Sequence, residues 1–266
     1  MRGTQEVGGS IPPSSTIIRY VSLSENSCYR YSKFVKLLSI SLILFFSVSI
    51  FSYSKEDLIK FKSTGQCENC DLRNITSINN SFIGYNLKGA DLSGSDLSKS
   101  SFISANLSGA NLKDTLLIGA FLSSANLRNA NLSGSNLIGI SLSNADLNNA
   151  DLANADLTNA KIIRANLSNA NLAGANLRVA NLRGVIAINS NFSQASLVGS
   201  NLSKAILKGA DLSNADFSKS TLVGASLYGS NLFQANFSEA NLKDSNLDEV
   251  KYCNTLMPNG LEVGEC

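Results

Sequence analysis

A five-residue period governs most of this chain and leaves few folds open to it. Steps of five from Leu72 to Leu247 give 36 positions, of which 28 are Leu and five are Phe. Two residues before each of these positions, the residue is Ala 21 times and Ser eight times. The residue between them is usually Asn or Asp, as in Ala150–Leu152 and Ala170–Leu172. Such a regular repeat indicates a structure that itself repeats.

Neither regular backbone conformation presents this period on one side. In a straight α-helix five residues advance about 500°, so the leucines would spiral around the axis. In a straight strand successive leucines would alternate between the two faces, because five is odd. The pattern fits a short extended piece followed by a corner, with Ala and Leu pointing inward and Asn or Asp pointing outward. Gly and Asn at the fifth position, such as Gly109 and Asn144, suit the turn.

A corner every five residues closes a coil after four corners. We therefore predict square coils of about 20 residues whose backbones pair through parallel bridges at a spacing of about 4.8 Å. The interior would contain only Leu or Phe together with Ala or Ser. Stacked outward Asn side chains would form hydrogen-bonded ladders.

The tandem A-[DN]-L-x-x pattern, here ADLSN, ANLSG and ANLRN, resembles the pentapeptide repeat family and covers roughly 180 of the 266 residues. The resemblance implies that family's fold, which agrees with the square coil above. The expected fold class is all-β: a right-handed quadrilateral parallel β-helix, or solenoid, of about nine coils with an N-terminal hydrophobic helix. The resemblance implies no single activity, since the family includes gyrase-protecting DNA mimics as well as secreted and lumenal proteins.

The sequence divides into five zones. These are a Ser-rich irregular or disordered segment (1–36), an apolar run (37–54), an N-terminal cap (55–70), the repeat (71–252) and a C-terminal cap (253–266).

The apolar run Leu37–Ser54 contains no charge and follows Lys33 and Lys36. It is typical of a signal-peptide core, cleaved after Ser54, or of a single transmembrane helix. An ordinary buried helix is a third alternative, although nothing nearby could bury it. The first two alternatives predict an exported protein (periplasm, lumen or extracellular space) or a membrane-anchored one, with the repeat on the non-cytoplasmic side.

Four of the five cysteines lie near the two ends of the repeat, in C-x-x-C and C-x12-C spacing. Such spacing could suggest zinc, but one metal ion cannot bridge opposite ends of the predicted stack. With an export signal upstream, we predict local disulfides Cys253–Cys266 and Cys67–Cys70. A thioredoxin-like redox pair at Cys67–Cys70 is the alternative, and it lacks the usual βαβ context. We expect no metal site and no cofactor.

Three local features complete the expected architecture. Asp57–Phe61 is typical of a short amphipathic helical turn. Ser77 occupies a Leu position in the first coil, where a cap makes irregularity understandable. Ala187 also occupies a Leu position, and we predict a bulge or register slip that places Ile186 or Ile188 inside.

Charge and composition exclude several kinds of function. Residues 71–252 contain 13 acidic and 14 basic residues, a net charge of +1. This balance speaks against the alternative function, a DNA-mimic inhibitor or protector of a topoisomerase or other nucleic-acid enzyme, and against nucleic acid as a partner. The chain has no histidine, which excludes a Ser-His-Asp triad. We do not expect an enzyme.

The position after each Leu carries outward isoleucines in two neighbouring columns. The candidate interaction stripe comprises Ile78, Ile118 and Ile138 in one column, and Ile83, Ile103 and Ile163 in the other. Exposed apolar patches often mark a partner site, whereas β-branched residues also favour extended backbone without any such role. The expected function is a non-catalytic structural or protein–protein interaction scaffold. Its partner would be an unknown protein or a second copy, and the membrane if Leu37–Ser54 is retained.

Overall fold

The computed structural model of the chain describes residues 53–265. The segment 1–36, nearly all of the apolar run and Cys266 lie outside the described residues. Helix α1 spans Lys55–Thr64, and strands β1 (Thr255–Leu256) and β2 (Glu262–Val263) form an antiparallel pair. Among the described residues, no helix has the length and apolar character to cross a membrane.

Parallel bridges between residues 20 positions apart organise the repeat. They run from Gln66↔Asn86 to Asn236↔Leu256, and every fifth residue takes part. Each coil of 20 residues therefore has four bridged positions, one on each side. The prediction of an all-β solenoid with a 20-residue coil is confirmed, while its right hand and the number of about nine coils stay predictions.

We name the four sides by the bridged residue of the first coil. The first face contains Asp71, the second Thr76, the third Ser81 and the fourth Asn86, and each face continues every 20 residues.

The interior consists of the side chains that the five-residue period predicts. Leu and Phe positions along the stack are buried, as are the Ala positions two residues earlier. Phe217 and Phe237 stack in successive coils with ring centroids 4.8 Å apart. Where Ser replaces Ala, its hydroxyl donates to the carbonyl three residues earlier, at 2.6 Å for Ser200 and Ser220. A hydroxyl is tolerated in this core because that bond satisfies it.

The second residue after each interior Leu turns the corner in a left-handed conformation. Asn154 and Gly174, in successive coils of the first face, have φ values of 57° and 66°. Gly and Asn adopt this conformation at the lowest cost. At Gly174 a second reason applies, since a Cβ would lie 2.6 Å from Asn154 Oδ1 of the preceding coil.

Outward Asn and Asp side chains link the coils. Asn171 Nδ2 donates to Asp151 Oδ1 at 2.9 Å, and Asn191 Nδ2 donates to Asn171 Oδ1 at 3.2 Å. Asn171 Oδ1 also accepts from the backbone N–H of Ala173, which fastens the turn. One side chain thus stabilises both its own corner and the stacking of its coil on the previous one.

The structure contradicts the predicted slip at Ala187. Ala187 keeps the interior position and is fully buried, while Ile186 points outward and is 38% exposed. Val185, at the preceding small-residue position, is also fully buried. The extra volume of Val185 offsets the missing volume of Ala187, so the register continues without a bulge.

Helix α1 covers the first coil. Phe61 is fully buried, and its ring centroid lies 4.7 Å from that of Phe82 and 5.8 Å from that of Tyr85. The helical turn predicted around Asp57–Phe61 is part of this helix. Ser54 is its N-cap, and the Ser54 hydroxyl accepts from the backbone N–H of Asp57 at 3.2 Å.

Of the two predicted disulfides, one lies entirely within the described residues. Cys67 and Cys70 are joined, directly after α1 and at the start of the first coil. Cys253 is largely buried beside the β1–β2 pair. Because Cys266 lies outside the described residues, the Cys253–Cys266 bridge stays a prediction.

Candidate interaction surface

The six isoleucines of the predicted stripe all occupy outward positions. Five are exposed, from 36% at Ile103 to 55% at Ile83, and Ile163 is half-buried. Ile78, Ile118 and Ile138 lie on the second face, and the other three lie on the third.

The stripe is interrupted rather than continuous. Ile118 and Ile138 occupy successive coils, as do Ile83 and Ile103. Ser98 separates Ile78 from Ile118, and two further serines separate Ile103 from Ile163. Ile163 instead lines a cleft among basic residues.

Two residues that the stripe prediction missed lie at the centre of the exposed apolar surface. Leu116 and Phe121, 41% and 50% exposed, occupy bridged positions on the second and third faces. We define the apolar patch as Ile103, Leu116, Ile118, Phe121 and Ile138. The signal was present in the sequence, because Asn or Asp usually occupies the positions of Leu116 and Phe121.

A smaller apolar pair lies on the fourth face. Ile186 and Ile206 are bridged to each other in successive coils, and each is 38% exposed. They also replace the usual Asn or Asp.

Charge is distributed unevenly over the faces. Over residues 70–249 the third face carries five basic residues and one acidic residue, a net charge of +4. The other three faces together carry eight basic and twelve acidic residues, a net charge of −4. The balanced total therefore conceals one strongly basic face, which sequence analysis missed because it summed charge over all four sides.

The first face contains a directly stacked pair of aspartates. Asp71 and Asp91 bridge in adjacent coils, and Arg73 contacts both, with its Nη2 2.8 Å from Asp71 and its Nε 4.0 Å from Asp91. The hydrogen bond that Arg73 donates holds the pKa of Asp71 below its usual value. The same bond raises the pKa of Arg73. The arginine thus offsets the repulsion between the stacked carboxylates.

The remaining pKa shifts follow from local contacts. A hydrogen bond to Glu249 raises the pKa of Tyr228, and burial raises the pKa of Tyr252. On the fourth face, the ion pair with Glu68 raises the pKa of Lys88. Within the described residues, no group of three or more Cys, Asp or Glu side chains could hold a metal ion. The carboxylates occur mainly as separate outward rungs.

Comparison with known proteins points to one family. A family model for pentapeptide repeats matches the chain in eight copies, within residues 66–107, 81–117, 105–144, 140–178, 175–214 and 210–248. A search of curated protein sequences finds no match.

Several solved structures are similar to this chain. HetL, a pentapeptide repeat protein involved in heterocyst differentiation regulation in the cyanobacterium Nostoc sp. strain PCC 7120, is 30% identical, with coverage of 77% of this chain and 98% of HetL and a TM-score of 0.44. A pentapeptide repeat protein from the Arabidopsis thaliana thylakoid lumen is 30% identical over 38% of this chain and 66% of its own, with a TM-score of 0.31. QnrB1, a plasmid-mediated fluoroquinolone resistance protein, is 23% identical over 71% of this chain and 87% of its own, with a TM-score of 0.38.

Proposed function

Because the chain belongs to the family of pentapeptide repeat proteins, we propose that it is a non-catalytic scaffold that binds another protein through the apolar patch. The observation that carries this proposal is the pair Leu116 and Phe121. Each replaces a polar residue that elsewhere links neighbouring coils by a hydrogen bond. Exposed apolar side chains at such positions add nothing to the ladder, and their burial against a partner supplies a driving force for binding.

A non-catalytic role agrees with the way the coil places its side chains. Leu, Phe, Ala and Ser fill the interior, and the charged residues project outward. Catalysis needs groups that converge on one reacting atom. The DNA-mimic alternative is not proposed, because the repeat carries a net charge of only +1.

The location of the protein is part of the same proposal. We propose a right-handed stack of about nine coils on the non-cytoplasmic side, exported or tethered through Leu37–Ser54. The apolar run after Lys33 and Lys36 supports this location, as does the Cys67–Cys70 disulfide, since disulfides persist in oxidising compartments. Fractionation with mass spectrometry of the mature N-terminus tests it. A mature chain starting at Lys55 indicates release, an intact apolar run in the membrane fraction indicates an anchor, and a cytosolic intact chain contradicts the proposal.

The binding proposal is tested by comparing two double variants as bait. Leu116→Asn with Phe121→Asn alters the apolar patch, and Ile186→Asn with Ile206→Asn makes the matched change on the fourth face. We expect a partner to be recovered with the wild type and the fourth-face control and lost with the patch variant, at unchanged circular dichroism. Sedimentation of the purified proteins distinguishes a second copy from a different partner. Equal recovery and equal sedimentation for all three proteins would exclude the patch as a binding surface.

A further inference from the structure

Four basic side chains on the third face lack an acidic neighbour. We define the basic cluster as Lys161, Arg164, Arg183 and Lys204, all of which are exposed. Within residues 53–265 none of the four forms an ion pair. Basic residues on other faces do pair with carboxylates, as Arg128 does with Asp146 at 3.0 Å.

Three members of the basic cluster surround a shallow cleft with a volume of about 390 Å³. Its polar lining comprises Asn144, Arg164, Asn181, Arg183, Asn201 and Lys204, with no carboxylate. Gly184 lies between Arg164 and Lys204 in the same corner column and leaves the space between the two side chains open.

The amide side chains of the cleft present donors. Asn181 Oδ1 accepts from the backbone N–H of Arg183 at 3.2 Å, and Asn201 Oδ1 accepts from the backbone N–H of Ser203 at 3.0 Å. Neither Nδ2 group donates to an acceptor in the described part of the chain. For Asn181 the reason is local, because Lys161 occupies the ladder position one coil earlier, where an Asn or Asp would supply an acceptor. The lining is therefore rich in cations and N–H donors.

We propose that this cleft binds a ligand that carries two or more phosphate groups. Guanidinium forks such as those of Arg164 and Arg183 bind phosphate through paired, charge-assisted hydrogen bonds. Arg164 and Lys204 lie two coils apart, about 10 Å along the stack, so one phosphate does not serve both ends of the cleft. The volume falls in the range of small-ligand sites. The lining contains no aromatic side chain, which disfavours stacking of nucleobases.

Binding of inorganic tripolyphosphate to the full-length protein tests the proposal by calorimetry at low ionic strength. The test variant is Arg164→Gln with Arg183→Gln, and the control is Arg128→Gln with Arg178→Gln, which removes the same two charges from neighbouring faces. We expect the wild type and the control to bind, and the test variant to bind about tenfold more weakly or worse. Arg164→Lys with Arg183→Lys keeps the charge but not the fork, and it should bind with intermediate affinity.

Vesicles distinguish two sources of the phosphate groups. Phosphatidylcholine vesicles with and without phosphatidylglycerol are added to the same proteins. Extra binding to phosphatidylglycerol that only the test variant loses supports the site and assigns it to a lipid headgroup. Tripolyphosphate binding with no such extra vesicle binding supports the site and assigns it to a soluble phosphate ester. No tripolyphosphate binding by the wild type, equal binding by test and control variants, or binding of a DNA duplex alone would overturn the proposal.

Discussion

Single residues decide whether each coil fits its neighbours, and the segment Val185–Ala187 illustrates this best. The usual small and large interior residues are exchanged there, and both are fully buried. Because the core is closely packed, neither position has room for a second large side chain.

We predict that Ala187→Leu alone destabilises the protein although it restores the consensus residue. The added side chain competes with Val185 for the same interior space, at a cost of about 1–3 kcal/mol in the free energy of unfolding. Adding Val185→Ala should recover most of that loss. Urea unfolding followed by circular dichroism measures both effects, and equal stabilities of the single and double variants would contradict the explanation.

Arg73 leads to a prediction about pH. Its hydrogen bond lowers the pKa of Asp71 from the ordinary value of 3.8. The ionised carboxylate therefore adds stability above that ordinary pKa, and this contribution is lost as the pH falls through the lower folded value. Arg73→Gln leaves Asp71 and Asp91 stacked without a cation.

We expect Arg73→Gln to lower the melting temperature at neutral pH and to match the wild type near about pH 2, where both carboxyls are protonated. Thermal unfolding at the two pH values provides the comparison. Arg178→Gln is the control, because Arg178 forms no ion pair among the described residues and its removal should have little effect at either pH. A difference for Arg73→Gln that persists at acid pH would show that charge is not the cause.

At the scale of elements, helix α1 is the part of the structure that the repeat cannot supply. An exposed coil end leaves apolar side chains and backbone groups open to solvent. Phe61 closes this end by packing on Phe82 and Tyr85, and Ser54 caps the helix that carries it. Ser54 is also the residue after which the sequence predicts cleavage, so that cleavage would remove the N-cap.

We predict that Phe61→Ala weakens the first coils more than the rest of the stack. Loss of a buried phenylalanine costs about 3–5 kcal/mol, and each coil contacts only its neighbours. Hydrogen exchange should therefore quicken at residues 67–92, including the amide of Cys67, which donates to Asn86 O. Residues 152–172 serve as the internal control, and equal acceleration in both regions would contradict a local role.

The sequence predicted the elements better than it predicted the surface. The five-residue period determines the interior, the corners and the pairing every 20 residues, because each depends on local geometry. Leu116, Phe121 and the basic cluster were missed for a different reason. Their significance appears only when residues 20 apart are aligned in columns and the charge is counted for each face separately.

On the scale of the whole molecule, the outer surface and the core depend on different periods. The core needs inward residues every five positions, whereas the ladders and faces need alignment every 20. A change in chain length therefore has a very different effect depending on whether it preserves one period, both or neither.

Removal of one complete coil tests this dependence. Deletion of residues 141–160 joins Ile140 to Lys161 and keeps every later residue in its column, so we expect a shorter solenoid with cooperative unfolding and modestly reduced stability. Deletion of residues 141–158 places Lys161 at an interior Leu position, where an unpaired charge is costly to bury. Circular dichroism and thermal unfolding compare the two chains. If both deletions unfold alike, stability does not depend on the five-residue register, and the stacked-coil account of this molecule fails.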